Sequence, residues 1–244
     1  MLRELPKPLV AVPALTLSQA MLVDQLLLQE YLVDPLSAIE IAGRHFAHLA
    51  RLQFLKARAD GKSVVALVGN TAKGTVVLAA ARHLHRWGAI VRLVLSHPID
   101  EYDGIPAPYL ERARRQGMVI IEQPGSGAQL ILDGLMGLNW QGDSSGRIAE
   151  LIDWANKQLT PVLSLELPAG VDADTGHMQR VCMRASTTLA LGLPKVGIMK
   201  DIARAMVGEI FLGDVGVPAA LYALPGLDLK IGTIFSESDI VRLR

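Results

Sequence analysis

Three groups of polar residues, each following an apolar stretch, could together bind and chemically alter a small molecule. The first is the small-residue segment 69–75, which comes directly after the apolar segment 63–68. The second is Asp133 with the sequence GLMGLNWQGD after it, and the third is LPAGVDADTG at residues 167–176. Free backbone N–H groups at a small-residue turn can hold phosphate, and a carboxylate can stabilise a cation or relay a proton.

These groups need a scaffold that brings them to one place. Apolar strands are predicted at residues 63–68, 89–95, 118–121, 129–133 and 161–167, with later strands in TTLALGL and EIFLGDVG. Helices are predicted between them, at residues 17–31, 37–56, 76–87, 106–116 and 146–158. This alternation predicts an α/β fold: a doubly wound, mostly parallel sheet with helices on both faces, a Rossmann-like three-layer αβα sandwich. Ligands of such sheets bind beyond the carboxyl ends of the strands, so Gly69, Asp133 and Asp172 are expected at one edge.

Composition argues against a general nucleic-acid-binding or membrane-associated role. Lys plus Arg and Asp plus Glu number 24 each in 244 residues, so net charge offers no general attraction to nucleic acid or to an anionic membrane. The longest apolar runs are too short to span a bilayer.

Cys182 is the only cysteine, which fits a reducing compartment, and we expect a cytoplasmic protein. His45 and His48 lie three residues apart but lack partners at a recognised spacing, so we expect no metal site there.

Longer motifs resemble a known family. The sequence ELPAGVDADTG, followed by STTLALGLPKVGI and VGEIFLGDVGVP, resembles the YjeF N-terminal domain family. Its enzymes are NAD(P)H-hydrate epimerases, which repair hydrated NADH and NADPH. Two further segments, LTLSQAMLVDQLLLQEYLVDPLSAIEIAGR and ARHLHRWG, are similar to the family's opening and to the helix after its first loop. The resemblance covers about residues 15–221 and implies a single domain of this type over residues 1–244, without the dehydratase domain that often accompanies it.

The resemblance also implies roles for individual residues. Asp172 falls on the family's substrate-binding aspartate and is the candidate catalytic residue. Asp133 and Thr175 fall on potassium-binding positions. The remaining positions that match substrate-contacting segments are Ala72, Lys73, Gly74 and Thr75 in the first loop and Gly137, Leu138, Asn139 and Asp143 after the strand that carries Asp133.

The first loop departs from the family pattern. Where the family has N-N-G-G-D, this chain has A-K-G-T-V, and Lys73 replaces an asparagine that helps to hold the potassium ion. An ammonium carries one positive charge and three donors, so Lys73 could take the place of the ion beside Asp133. The alternative is a lysine that points to solvent. The chain also differs from the family at Val76, Ile41, Ala169 and Glu166, where the family has aspartate, asparagine, serine and aspartate.

The implied chemistry is simple. Loss of the C6 hydroxyl from the hydrated nicotinamide leaves an iminium-like cation, which water can attack on either face and which the carboxylate of Asp172 can stabilise. Alternatively, Asp172 stabilises a turn, a role that also suits Asp174. We therefore weigh three hypotheses: an epimerase acting on a small nucleotide ligand, an inactive YjeF-type ligand-binding or regulatory module, and a protein- or RNA-associated scaffold. A homodimer is one option for assembly.

Overall fold

The computed structural model describes residues 5–140 and 142–244, which contain an eight-stranded sheet of order β3-β2-β1-β4-β5-β6-β7-β8. Neighbouring strands are parallel except for β8, which runs antiparallel to β7. The strands are β1 (Ser63–Val68), β2 (Ile90–Leu95), β3 (Val119–Ile120), β4 (Leu130–Gly134), β5 (Val162–Leu165), β6 (Thr187–Leu191), β7 (Glu209–Gly213) and β8 (Ile240–Arg242). The helices are α1 (Leu17–Gln29), α2 (Pro35–Gln53), α3 (Ala72–Arg86), α4 (Pro106–Arg115), α5 (Gly146–Lys157), α6 (Val196–Met199), α7 (Arg204–Val207) and α8 (Ala219–Tyr222).

Helices cover both faces of the sheet, as the sequence predicts. Successive side chains of a strand point to opposite faces. In β1, Val64, Ala66 and Val68 therefore pack into the core shared with α2, α3 and α4, whereas Val65 and Leu67 pack with α5. A third apolar cluster joins α1, α6, α7 and α8 to β6 and β7. The predicted αβα sandwich is confirmed.

The strand register brings the predicted polar groups to one edge. Strands β2, β1, β4 and β5 are neighbours in that order. Val68 lies opposite Gly134, and Asp133 lies opposite Ser164. Strand β5 ends at Leu165, two residues earlier than expected. The reason is local, because Glu166 adopts the left-handed conformation (φ 61°), which ends an extended strand.

Helix α3 begins at Ala72, four residues before the predicted start at residue 76. Residues 72–75, expected as a loop, form the first turn of α3. Thr71 is the N-cap: its backbone is extended, and its hydroxyl accepts a hydrogen bond from the Gly74 amide at 3.2 Å. A threonine cap satisfies one of the free amides of a helix start, so the helix can begin as soon as the cap is in place.

No helix among the described residues is long and apolar enough to cross a membrane. The same part of the chain contains no group of three or more His, Cys, Asp or Glu side chains placed to hold a metal ion. The His48 ring instead lies beside Arg51, with 3.4 Å between its Nδ1 and the guanidinium.

Candidate functional site

The first turn of α3 is packed against the chain itself. A Cβ atom added to Gly74 would lie 1.9 Å from the carbonyl oxygen of Gly69, and one added to Gly69 would lie 2.1 Å from that of Leu135. Lys73, Gly74 and Thr75 are buried, and of the four predicted substrate residues at this turn only Ala72 is exposed. The small-residue turn that could have held a phosphate is therefore filled by protein atoms at residues 73–75.

The Lys73 side chain points into the protein. Its ammonium lies 2.6 Å from the carbonyl oxygen of Leu167 and 3.4 Å from Oδ2 of Asp133, with 5% of the side chain exposed. The solvent-facing alternative is thus wrong. Burial lowers the pKa of Lys73, and the neighbouring Asp133 carboxylate opposes that shift. The Leu167 carbonyl is therefore the nearer acceptor of the Lys73 ammonium. The contact with Asp133 is longer than a charge-assisted hydrogen bond of about 2.8 Å.

Asp133 joins three segments of the site. It is fully buried in β4, and its Oδ1 accepts a hydrogen bond from the Leu135 amide at 3.1 Å. Its Oδ2 accepts from the Ser164 hydroxyl at 2.8 Å and from the Ala169 amide at 3.0 Å, in addition to the Lys73 contact. These donors compensate the burial of the carboxylate, which would otherwise be costly.

A second buried ion pair lies next to the first. The Lys195 ammonium lies 2.8 Å from Oε2 of Glu166, and the two side chains are 5% and 12% exposed. Burial raises the pKa of Glu166, and Lys195 opposes that shift. Since Glu166 directly precedes Leu167, whose carbonyl receives Lys73, both lysines hold adjacent residues of one backbone segment.

Asp172 organises the turn that follows. Its Oδ1 accepts from the Thr175 hydroxyl at 2.6 Å and from the amides of Thr175 and Asp174 at 2.7 and 3.1 Å. These hydrogen bonds, led by the Thr175 hydroxyl, lower the pKa of Asp172, so its exposed carboxylate is ionised at neutral pH. The Thr175 hydroxyl is thus bound to Asp172, and no described hydrogen bond links it to Asp133. Asp174 accepts from the Leu17 amide at 2.6 Å and fixes the start of α1.

Asp172 also lines a small crevice of about 150 Å³. Three of the predicted substrate residues, Gly137, Leu138 and Asn139, line the same crevice, together with Trp140 and Gln179. Asp143 is exposed and accepts from the Arg180 amide at 3.3 Å, and Gln141 of the same predicted segment lies outside the described residues. Lys73 and Asp133 contact the backbone next to the crevice: the Lys73 ammonium binds the carbonyl of Leu167, which lines it, and Asp133 accepts from the amide of Ala169, two residues further on.

Several contributors were not predicted from the sequence. The Leu167 carbonyl and the Ala169 amide are backbone groups, which carry no residue-type signal. Ser164 did leave a signal, because it is a lone hydroxyl within the apolar strand segment PVLSLEL. A buried polar side chain usually has a hydrogen-bond partner, so this serine indicates a polar group on a neighbouring strand.

Comparisons with known proteins agree with the family that the sequence motifs resemble. The model of the family described as YjeF-related protein N-terminus matches residues 36–197. A protein named NAD(P)H-hydrate epimerase from Dehalogenimonas lykanthroporepellens is 34% identical over 91% of this chain and 89% of its own length. A protein of the same name from Rhodopirellula baltica is 29% identical over 88% of this chain and 89% of its own length. The crystal structure of yeast ynu0 superposes with a TM-score of 0.81 at 17% identity, over 95% of this chain and all of the yeast chain, which supports the fold.

The family match covers about two-thirds of the chain and includes the first turn of α3, Asp133 and the Asp172 turn. The chain belongs to the YjeF-related protein N-terminus family.

Proposed function

We propose that this protein is an NAD(P)H-hydrate epimerase that interconverts the R and S forms of hydrated NADH and NADPH, an isomerase of metabolite repair. The observation that carries the proposal is the crevice that the ionised Asp172 lines together with Gly137, Leu138 and Asn139. The names of the two relatives that match about nine-tenths of the chain support the same activity.

Asp172 has the charge and the free oxygen that the reaction needs. When the C6–O bond of the hydrate breaks, the hydroxyl leaves with the bonding pair and takes a proton from solvent to become water, and the ring becomes an iminium-like cation; the proton that the incoming water later loses returns to solvent. The described hydrogen bonds of the Asp172 carboxylate all involve Oδ1, so Oδ2 is the oxygen available to the ligand. A fixed carboxylate beside the ring stabilises the cation and can receive the proton of the incoming water.

The size of the crevice limits what it encloses. Sites that bury whole drug-sized ligands measure about 300–1,000 Å³, so a crevice of about 150 Å³ suits a single ring rather than a dinucleotide. In this proposal the hydrated nicotinamide enters the crevice and the rest of the ligand lies on the surface. A larger open groove of about 470 Å³, lined by Leu26, Glu30, Tyr31, Leu224 and Pro225, contains none of the predicted site residues.

The remaining assignments follow from the same proposal. The ligand is a small nucleotide, and Ala72, Lys73, Gly74 and Thr75 contribute by shaping the edge of the sheet rather than by an open cradle. Potassium ligation by Asp133 and Thr175 is implied by the family alone. The single Cys182 thiol favours a reducing compartment, and we place the activity in the cytoplasm.

The test is Asp172→Asn with Asp174→Asn as its matched control. Asparagine keeps an oxygen for the turn amides but removes the charge, so interconversion of the two epimers, followed by chromatography, should fall at least about a hundredfold for Asp172→Asn. Asp174 binds the start of α1, and its variant should retain most of the activity. A parent protein that equilibrates the epimers no faster than buffer would contradict the epimerase proposal.

One observation favours the second hypothesis, a ligand-binding module without turnover. The first turn of α3 is closed by protein atoms, so it does not offer the open backbone amides with which a small-residue turn can hold phosphate. Calorimetric binding of NADH hydrate, without epimerisation, would identify this case.

The RNA-associated hypothesis gains no support from Trp87 and Tyr109. The Arg51 guanidinium lies 4.3 Å from the Trp87 ring centre, and that of Arg112 lies 4.9 Å from the ring centre of Tyr109, which is fully buried. Because arginines already cover these rings, this face does not present the free stacking surface on which bases bind.

A further inference from the structure

The oxygen-lined space between β4 and β5 already contains a positive charge. The Lys73 ammonium lies between the Leu167 carbonyl and the Asp133 carboxylate, 2.6 and 3.4 Å away, in a fully buried setting. Carbonyl and carboxylate oxygens are also the groups that replace the hydration shell of a bound potassium ion. The ammonium therefore occupies a position that has the chemistry of a monovalent cation site.

These residues do not fit a potassium ion in addition to Lys73. Asp133 accepts three other hydrogen bonds, from Leu135, Ser164 and Ala169, so its lone pairs are largely used. The two substitutions at this point, lysine for the family's asparagine and Ala169 for its serine, both remove side-chain oxygens. A second cation would face the ammonium at short range, and the nearby Glu166 is already paired with Lys195.

We infer that the Lys73 ammonium is the resident cation of this site and that the protein requires no potassium ion. The charge that other members of the family take from solution is here part of the chain. The inference concerns the buried charge of the folded state, so it does not rest on the epimerase proposal, and it is tested by stability and ion binding rather than by turnover.

The first test compares thermal unfolding in KCl and NaCl of equal ionic strength. The parent protein should melt at the same temperature, within about 1 °C, in both salts, because a site without affinity gains nothing from ligand. Lys73→Ala should melt about 10 °C lower, since it leaves the buried Asp133 without its counter-charge. Lys157→Ala, which removes an exposed lysine, is the matched control and should change little.

Restoring the family's ligands should restore the ion. The double variant Lys73→Asn/Ala169→Ser replaces the ammonium by an amide oxygen and a hydroxyl, and potassium should raise its melting temperature by about 3 °C more than sodium does. Equal effects of the two salts on this variant would overturn the inference. So would a selective potassium effect on the parent protein, or a Lys73→Ala variant as stable as Lys157→Ala.

A further measurement needs only the parent protein and stays informative if the variants do not fold. Crystals soaked in thallium or rubidium salts should show no anomalous peak between Leu167 and Asp133, and density there should continue into the Lys73 side chain. A peak within coordination distance of the Asp133 carboxylate would overturn the inference.

Discussion

Removing Lys195 should strand a buried carboxylate and destabilise the fold. The Lys195 ammonium is 2.8 Å from Oε2 of Glu166, and the two side chains are 5% and 12% exposed. At that separation the gross attraction is about 6 kcal/mol for an effective dielectric constant of 20. Part of this is offset by the desolvation of the lysine, so we expect Lys195→Met to lower the free energy of unfolding by about 3–5 kcal/mol.

The pH dependence of that loss identifies its cause. Burial raises the pKa of Glu166 and Lys195 opposes the rise, so the lysine-free variant should have a higher pKa still. Its folded state then accepts a proton more readily than its unfolded state, and stability recovers as pH falls. The difference from the parent protein should be largest near pH 8 and should narrow towards pH 5.

Urea unfolding followed by tryptophan fluorescence measures this directly. The double variant Lys195→Met/Glu166→Gln is the control, because it removes the stranded charge and should recover more than half of the loss. A loss below about 1 kcal/mol would show that the pair behaves as an exposed one. A loss that is the same at pH 5 and pH 8 would refute the assignment to Glu166.

Three further results are expected. Gly74→Ala should cost about 3 kcal/mol in urea unfolding, because its Cβ would overlap the Gly69 carbonyl oxygen, whereas Gly125→Ala, with open space around it, should be nearly neutral. Burial raises the pKa of Cys182 to about 12, so this thiol should react with a disulfide reagent at pH 8 far more slowly than free cysteine. The pKa of Asp172 lies below its ordinary value, so its charge is lost only as pH falls through that lowered pKa. The proposed activity should therefore show no acid limb from Asp172 between pH 8 and 5, and a limb near pH 6 in the pH–rate profile would contradict its role.

The sheet could be predicted because its strands are almost uninterrupted apolar runs. Residues 63–68 were predicted as a strand and form β1 with those same bounds, since a strand covered on both faces leaves little room for polar residues. The start of α3 was missed for the opposite reason. The sequence TAKGT contains turn-forming residue types, and only the hydrogen bond from the Gly74 amide to Thr71 shows that the helix has already begun.

The candidate site was predictable in its membership more than in its contacts. Asp133, Asp172 and the segment after Asp133 were expected at one edge from the order of the strands, whereas the pairing of Lys73 with Asp133 was implied only by the resemblance to the family. The direction of Lys73 could not be predicted, because its nearest acceptor is the carbonyl of Leu167, 94 positions away along the chain. Neither could the pairing of Glu166 with Lys195, since no local pattern links residues 29 positions apart.

The buried charges of Lys73 and Lys195 support the backbone, whereas the charge of Asp172 is exposed at the crevice. Lys73 binds the Leu167 carbonyl and Lys195 binds Glu166, so two buried ammonium groups fix the segment from which the Asp172 turn begins. Asp172 itself is exposed and is positioned by Thr175 and Asp174. We propose that a lysine in place of a solution ion changes only how this segment is held, and leaves the Asp172 carboxylate in the crevice for the proposed chemistry.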